Sequence, residues 1–258
     1  MSSDAPARPP RRRTGLLVGA GVVVAVLAGG IYAATNRDQP PPAPAATSPA
    51  PTTSLPVGAY AVEAGGGGSD LATDGKTPIG FADDCTGAAH AATAYYVAVL
   101  EGLYQDQLTP EEFDTLLDQI NAGLDANSGP IRDLKAQFRT IREEAQELDI
   151  EFHDPEFHPE WGAFRVHSCA DRASATVEIV GFAQDSDGEG ANYSYESPRT
   201  VRVSWFEDDW RLLDLAEMAE NPASGVIPLD SLAPLPADQR RALIAANGPG
   251  WTEYTNAP

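Results

Sequence analysis

From Thr77 onward the apolar positions change period once, and that change separates a helical half from a strand half. Ala88, Ala92, Tyr95, Val99 and Leu103 recur every three to four residues, which predicts a helix running to about Tyr104 with one apolar face. The small residues at its start favour close packing on a neighbour, and Asp84 or Thr86 can cap it. Thr109-Pro110-Glu111-Glu112 has the form of a capping box with proline at the first helical position. Phe113, Leu116, Leu117, Ile120 and Leu124 then line one face of a second helix. A third follows the break at Asn127-Ser128-Gly129-Pro130, with Ile131, Leu134, Phe138, Ile141, Ala145 and Leu148 on its apolar side.

After Glu151 the period falls to two. Trp161 to Cys169 alternates, with Phe164 and Val166 on one side and Arg165 and His167 on the other. Ala173 to Ala183 is β-branched and mostly apolar. Asn192 to Trp205 carries Tyr193, Tyr195, Val201, Val203 and Trp205 at alternate positions, interrupted at Ser197-Pro198. Trp210 to Ala216 completes a hairpin across an Asp208-Asp209 turn. Three helices followed by a four-stranded antiparallel meander predict an α+β domain, its helices packed on one face of a twisted sheet. From Asn221 the tail is proline-rich, and a short helix near Ala237 to Ala246 is stopped by Gly248 and Pro249.

Ahead of this domain, Thr14 to Ala34 is 21 residues without a charge. At about 1.5 Å per residue it spans roughly the 30 Å hydrocarbon core of a bilayer. Arg8, Arg11, Arg12 and Arg13 precede it and only Arg37 follows closely, so the positive-inside rule keeps the N-terminus cytoplasmic and places the remainder outside. A cleavable signal peptide with a long apolar region is the alternative, and the Arg run lacks the pattern of a twin-arginine signal. Asn36 to about Lys76 is rich in proline and ends in Gly65 to Gly68 and Ser69, which predicts an extended, disordered linker. The expected organisation is a cytoplasmic tail over 1–13, a transmembrane helix over 14–34, a linker over 35–76 and an extracytoplasmic domain over 77–258.

Charge sharpens the picture. After the apolar stretch lie 13 Lys and Arg against 37 Asp and Glu, a balance of −24 that opposes nucleic acid and anionic headgroups as partners of the outer domain. Abundant Ala, Gly, Pro and Arg with little Lys suits a GC-rich bacterial genome. Both cysteines, Cys85 and Cys169, fall on the oxidising side, and their even number permits one bridge between the first helix and the sheet. Two unrelated thiols, or pairing with another chain, are the alternatives.

Sites of chemistry are harder to read. The run 151–158 holds His153, His158 and three carboxylates, but its His spacing is off the helical i, i+4 pattern and Pro155 and Pro159 predict a loop, so no metal is assigned. Asp185-Ser186-Asp187-Gly188-Glu189-Gly190 resembles the front half of a calcium loop, although Glu196 at the twelfth place follows a strand. Asn192-Tyr193-Ser194 matches a glycosylation acceptor. Tyr95, Tyr96, His90, His167 and Asp214 are the acid–base candidates, without a recognisable dyad. No G-x-S-x-G, phosphate loop or H-E-x-x-H occurs, so neither catalytic residue nor cofactor is assigned.

Pro78-Ile79-Gly80-Phe81, followed by Thr86 to Tyr95, resembles a family of uncharacterised actinobacterial proteins with a membrane anchor and a Pro-rich stalk. Trp205 to Leu213 is similar to that family's W-x-x-(D)-G-x-W-(R/K)-(L/V) hairpin and to cone-shaped domains of the nuclear-transport-factor-2 superfamily, with Asp209 where glycine is usual. The resemblance covers roughly residues 77 to 232. It implies a scaffold role linked to conjugative elements and type IV secretion, and it supplies no catalytic residue. The first expectation is therefore a non-enzymatic single-pass membrane protein whose outer domain binds other envelope proteins. The second is a small-ligand module whose cavity Tyr95, Tyr96 and Trp205 would line, and the third an enzyme on the same fold.

Overall fold

A computed structural model of the chain describes residues 60–105, 107–121, 129–148, 155–186, 192–218, 227–229 and 233–258. The predicted tail, the apolar span over 14–34 and most of the linker lie outside them. Among the described residues no helix is long and apolar enough to cross a membrane.

The three predicted helices form as α1 (Cys85–Tyr104), α2 (Pro110–Asn121) and α3 (Gly129–Leu148). Asp84 caps α1, its carboxylate accepting from the Gly87 N–H at 2.8 Å. At α2 the capping box closes in both directions: the Thr109 N–H donates to the Glu112 carboxylate at 2.9 Å, and the Glu112 N–H to the Thr109 hydroxyl at 3.2 Å. Phe113 of α2 stacks on Phe138 of α3 with ring centroids 4.4 Å apart. Helix α1 departs from the one-faced pattern, because Ala89, Ala91, Ala94, Tyr96 and Ala98 are buried as well as the predicted stripe. It is the central helix, and its alanines let chain approach from every side.

The sheet comprises β3 (Glu156–Ala170), β4 (Ser174–Ser186), β5 (Asn192–Phe206) and β6 (Asp209–Glu217), antiparallel throughout, as the meander predicts. The expected four strands become a five-strand path, β6-β5-β4-β3-β8, because β8 (Thr252–Glu253) pairs with Ala163 and Phe164 at the β3 edge. A three-residue strand, β7 (Ile227–Leu229), pairs with the start of β5 off this path. The expected interruption at Ser197-Pro198 does not occur: β5 runs through it, with Ser197 opposite Gly181 and Pro198 opposite Val180. Among the described residues no strand flanks 195–198 on the side of β6 and β7, and proline is tolerated at such an edge. The 151–158 stretch is likewise corrected in part. His158 and Pro159 belong to β3, which carries an irregularity between His158 and Ala163, whereas 151–154 lie outside the described residues.

The β5–β6 turn is displaced by one residue. Glu207 and Asp208 adopt φ of 48° and 62°, and Asp209 opposes Phe206 as the first residue of β6. Asp209 is buried, and its carboxylate accepts from the N–H groups of Gly80 and Phe81, both at 2.9 Å. An aspartate at this place clamps the segment leading into α1 onto the hairpin.

Helices α1, α2 and α3 cover one face of the sheet, enclosing Phe164, Val177, Ile179, Val201, Val203, Trp210 and Leu212. Helix α4 (Ala237–Ala246), as predicted, sits on the opposite face over a smaller cluster that includes Ala163, Val180, Phe182, Met218 and Ile244. Strand alternation makes this two-sided arrangement necessary, since Val180 and Ile179 must point opposite ways.

The stretch 60–76, expected as part of the linker, is instead packed onto the domain. Val62 is fully buried, Ala72 is buried, and β1 (Asp70–Leu71) pairs with β2 (Pro78–Ile79). The C-terminal segment holds this stretch in place, with the Thr255 N–H donating to the Val62 carbonyl at 2.8 Å and the Ala64 N–H to the Asn256 side chain at 3.0 Å. Within the glycine run, Gly67 lies against His90 so closely that a Cβ would stand 2.5 Å from the ring.

Cys85 and Cys169 form a disulfide with Cα atoms 5.9 Å apart, joining the first residue of α1 to the end of β3. It closes a sequence separation of 84 residues. In the chain-entropy treatment such a loop stabilises by about 4 kcal/mol. Reduction, or Cys169→Ser, is expected to lower the urea midpoint by an amount equivalent to several kcal/mol while leaving the far-UV circular dichroism native; an unchanged midpoint would refute the assignment.

Beneath α4, burial raises the pKa of Glu196 above the ordinary carboxylate value, opposed by the Asn247 side chain at 3.5 Å. The folded state therefore binds this proton more tightly than the unfolded chain. Its effect is most favourable below the unfolded pKa and is lost as pH rises through the folded one. Urea unfolding of Glu196→Gln beside the parent should show the variant gaining relative stability from pH 4.5 to pH 8. Parallel pH profiles would refute the burial argument.

Candidate functional site

Two of the three residues expected to line a cavity are structural. Tyr95 is fully buried in α1 and donates its hydroxyl proton to the Trp210 carbonyl at 2.7 Å. Tyr96 is equally buried and donates to the Ser197 carbonyl at 2.9 Å. Its ring crosses β4 at Gly181, where a Cβ would stand 2.4 Å from the Tyr96 oxygen. Burial pushes the Tyr96 pKa up to about 12, with the Ser197 contact and the Arg199 charge acting against it. Trp205 is half-buried and meets Trp210 edge-on at 5.5 Å. The cavity-lining expectation is thus corrected: these rings fill space in the core.

The remaining candidates are dispersed. His90 faces the Glu63 carbonyl at 3.1 Å, His167 is exposed on β3, and Asp214 pairs with Arg202 at 2.7 Å. His158 lies flat on Trp161, 3.6 Å between centroids, with Glu160 and Glu156 at 2.9 and 3.4 Å. His153 and residues 187–190 lie outside the described residues. The calcium-loop reading fails at its twelfth place, because Glu196 opposes Phe182 whereas Asp185 opposes Tyr193, and these register positions lie on opposite faces of the sheet. Cys85, Cys169 and Asp171 stand close enough to suggest a metal site, but both sulfurs are bonded to each other and neither is a thiolate. A shallow, half-open depression of about 280 Å³ lies beside α1, lined in part by Thr77, Pro78, Val97 and Glu160. Its charged floor is occupied internally, the Lys76 ammonium pairing with Glu101 at 2.8 Å.

A polar group that the sequence reading passed over lies where α1 ends against the start of β5. Arg199 shares the inward register of Tyr195, Val201 and Val203, so β5 delivers its guanidinium to the helix-covered face. There its charge acts on the phenols of Tyr96, Tyr104 and Tyr195. Burial raises the pKa of Tyr104, with Arg199 acting against it and Glu217 with it. The pKa of Tyr195 is raised as well, by burial first and then by the negative field of Asp185. Both phenols therefore hold their protons throughout the physiological range and can serve as donors. Phe157 lies beside Tyr104, with ring centroids 6.3 Å apart. Arg199 was detectable in principle, as a charge at an inward position of a strand; Tyr104 was not, because the last turn of a helix can face several ways.

Comparison of the chain with family models, with curated proteins and with solved structures finds no match. If Tyr96 is a structural strut, Tyr96→Phe should cost about 1–2 kcal/mol in urea unfolding by orphaning the Ser197 carbonyl. A cost near zero would show the hydroxyl free to serve another purpose.

Proposed function

We propose that the chain is a single-pass membrane protein whose outer α+β domain binds other proteins of the cell envelope, without an enzymatic role. The carrying observation is the filled interior: Tyr95 and Tyr96, where a cavity was expected, are fully buried and their hydroxyls bond main-chain carbonyls. A core packed in this way leaves recognition to the surface. The cone-like shape implied by the resemblance, and a place in a conjugation or type IV secretion assembly, belong to the same proposal. So does the anchor, which rests on 21 uncharged residues behind four arginines, with the proline-rich linker carrying the domain away from the bilayer. The disulfide is consistent with an oxidising compartment.

In a bacterial host the full chain should stay with the membrane through an alkaline carbonate wash. Protease added to intact spheroplasts should remove the domain, and in-cell photocrosslinking from its surface should yield discrete adducts with envelope proteins. Recovery of a soluble secreted form lacking residues 1–34 would overturn the anchor, and an absence of adducts from all faces would overturn the partner reading.

A further inference from the structure

Beneath α4 the sheet presents polar groups that the fold leaves incomplete. Ser194 and Glu196 of β5 oppose Gln184 and Phe182 of β4, and this register puts them on the face that α4 covers. Glu196 is buried, and the Asn247 amide nitrogen lies 3.5 Å from its carboxyl oxygen, at the limit of a hydrogen bond. That nitrogen also donates to the Leu243 carbonyl at 3.2 Å, which orients the amide and leaves Asn247 Oδ1 buried without a partner. The Ser194 hydroxyl is likewise buried and unbonded. The titratable and charged groups sharing this face are His158 and Arg165 of β3, Glu178 of β4, Arg202 of β5 and Arg240 of α4. All are engaged elsewhere: His158 with Glu160, Arg165 with Glu178, Arg202 with Asp214, and Arg240 with the Trp161 and Pro258 carbonyls. Burial and the Asn247 amide, and not these charges, set the proton affinity of Glu196.

We infer that Glu196 and Asn247 form a proton-operated latch on the C-terminal turn of α4, closed while the carboxyl is neutral and released when it ionises. A neutral carboxyl has one O–H to donate, and an amide oxygen accepts it; a carboxylate has only acceptors. Asn247 is the C-cap of α4, so a bond from the sheet to its side chain ties down the last turn of the helix. Once ionised, Glu196 is a buried charge with a single donor at 3.5 Å, and lifting that turn relieves it by admitting water. Burial raises the pKa of Glu196, so the latch is closed at low pH and lost as pH rises through the folded-state value. The earlier part of α4 is held differently. Arg240 donates to the Trp161 and Pro258 carbonyls at 3.1 and 2.7 Å, and Arg241 pairs with Glu253 at 2.7 Å. Arg240 is therefore the hinge, and opening uncovers the apolar face at Phe182. This device goes beyond the partner-binding reading, and its failure would leave that reading standing.

The test is hydrogen exchange of the oxidised full chain from pH 5 to pH 8, read by mass spectrometry and corrected for the intrinsic pH dependence of amide exchange. Peptides covering 243–248 should lose protection by at least about fivefold over this range, while those from α1 and from the first turns of α4 change little. In Glu196→Gln, which stays neutral and keeps a donor for Asn247, the 243–248 protection should be flat with pH. The carboxyl carbon resonance of Glu196 supplies a readout on the parent alone, should the variant not fold: its titration midpoint should coincide with that of the exchange change. The inference is overturned if protection of 243–248 changes no more than that of α1, if a folded Glu196→Gln keeps the parent's pH dependence, or if Glu196 titrates without any accompanying change in exchange. An equal loss along the whole of α4 would overturn the hinge at Arg240.

Discussion

The structure depends on a helix that can be buried from all sides. Helix α1 packs against the sheet while α2, α3 and the stretch from Tyr60 to Ile79 close around it, and that requires side chains small enough to let backbone approach. Ala88, Ala89, Ala91, Ala92, Ala94 and Ala98 meet the requirement. The same crowding excludes polar groups unless they are satisfied within the fold. Thr93 returns its hydroxyl to the Ala89 carbonyl, and Tyr95 and Tyr96 reach main-chain carbonyls of β6 and β5. These two hydroxyls fix both the rotation of α1 over the sheet and its height along it, because each points at a carbonyl on a different strand.

Closure of the domain follows from that burial. A central helix needs a cover on its outer side, and part of that cover comes from chain that by composition should not fold. Residues 60–76 contain four consecutive glycines and little apolar area. They are held by contacts that the local sequence does not contain: Val62 and Ala64 bond to Thr255 and Asn256, and Asp209 grips Gly80 and Phe81. The two ends of the domain thus stabilise each other across more than 190 residues of sequence. Any ordering entropy recovered there is contributed by tertiary partners, with local propensity supplying little.

This explains what was legible in the sequence and what was not. Helices α2 and α3 and the four long strands are set by periodicity and by caps, both local in sequence, and the Thr109–Glu112 box is found as read. The errors cluster where a distant partner decides. Nothing within residues 60–76 announces Thr255, nothing near Thr252 announces an empty β3 edge, and Pro198 breaks a strand only when both of its edges are paired. At the candidate site the same limit operates. Tyr95 and Tyr96 looked like cavity residues because aromatics with polar tips suit both a pocket and a satisfied core. The choice between them rests on the carbonyls of Trp210 and Ser197, more than a hundred residues away in sequence.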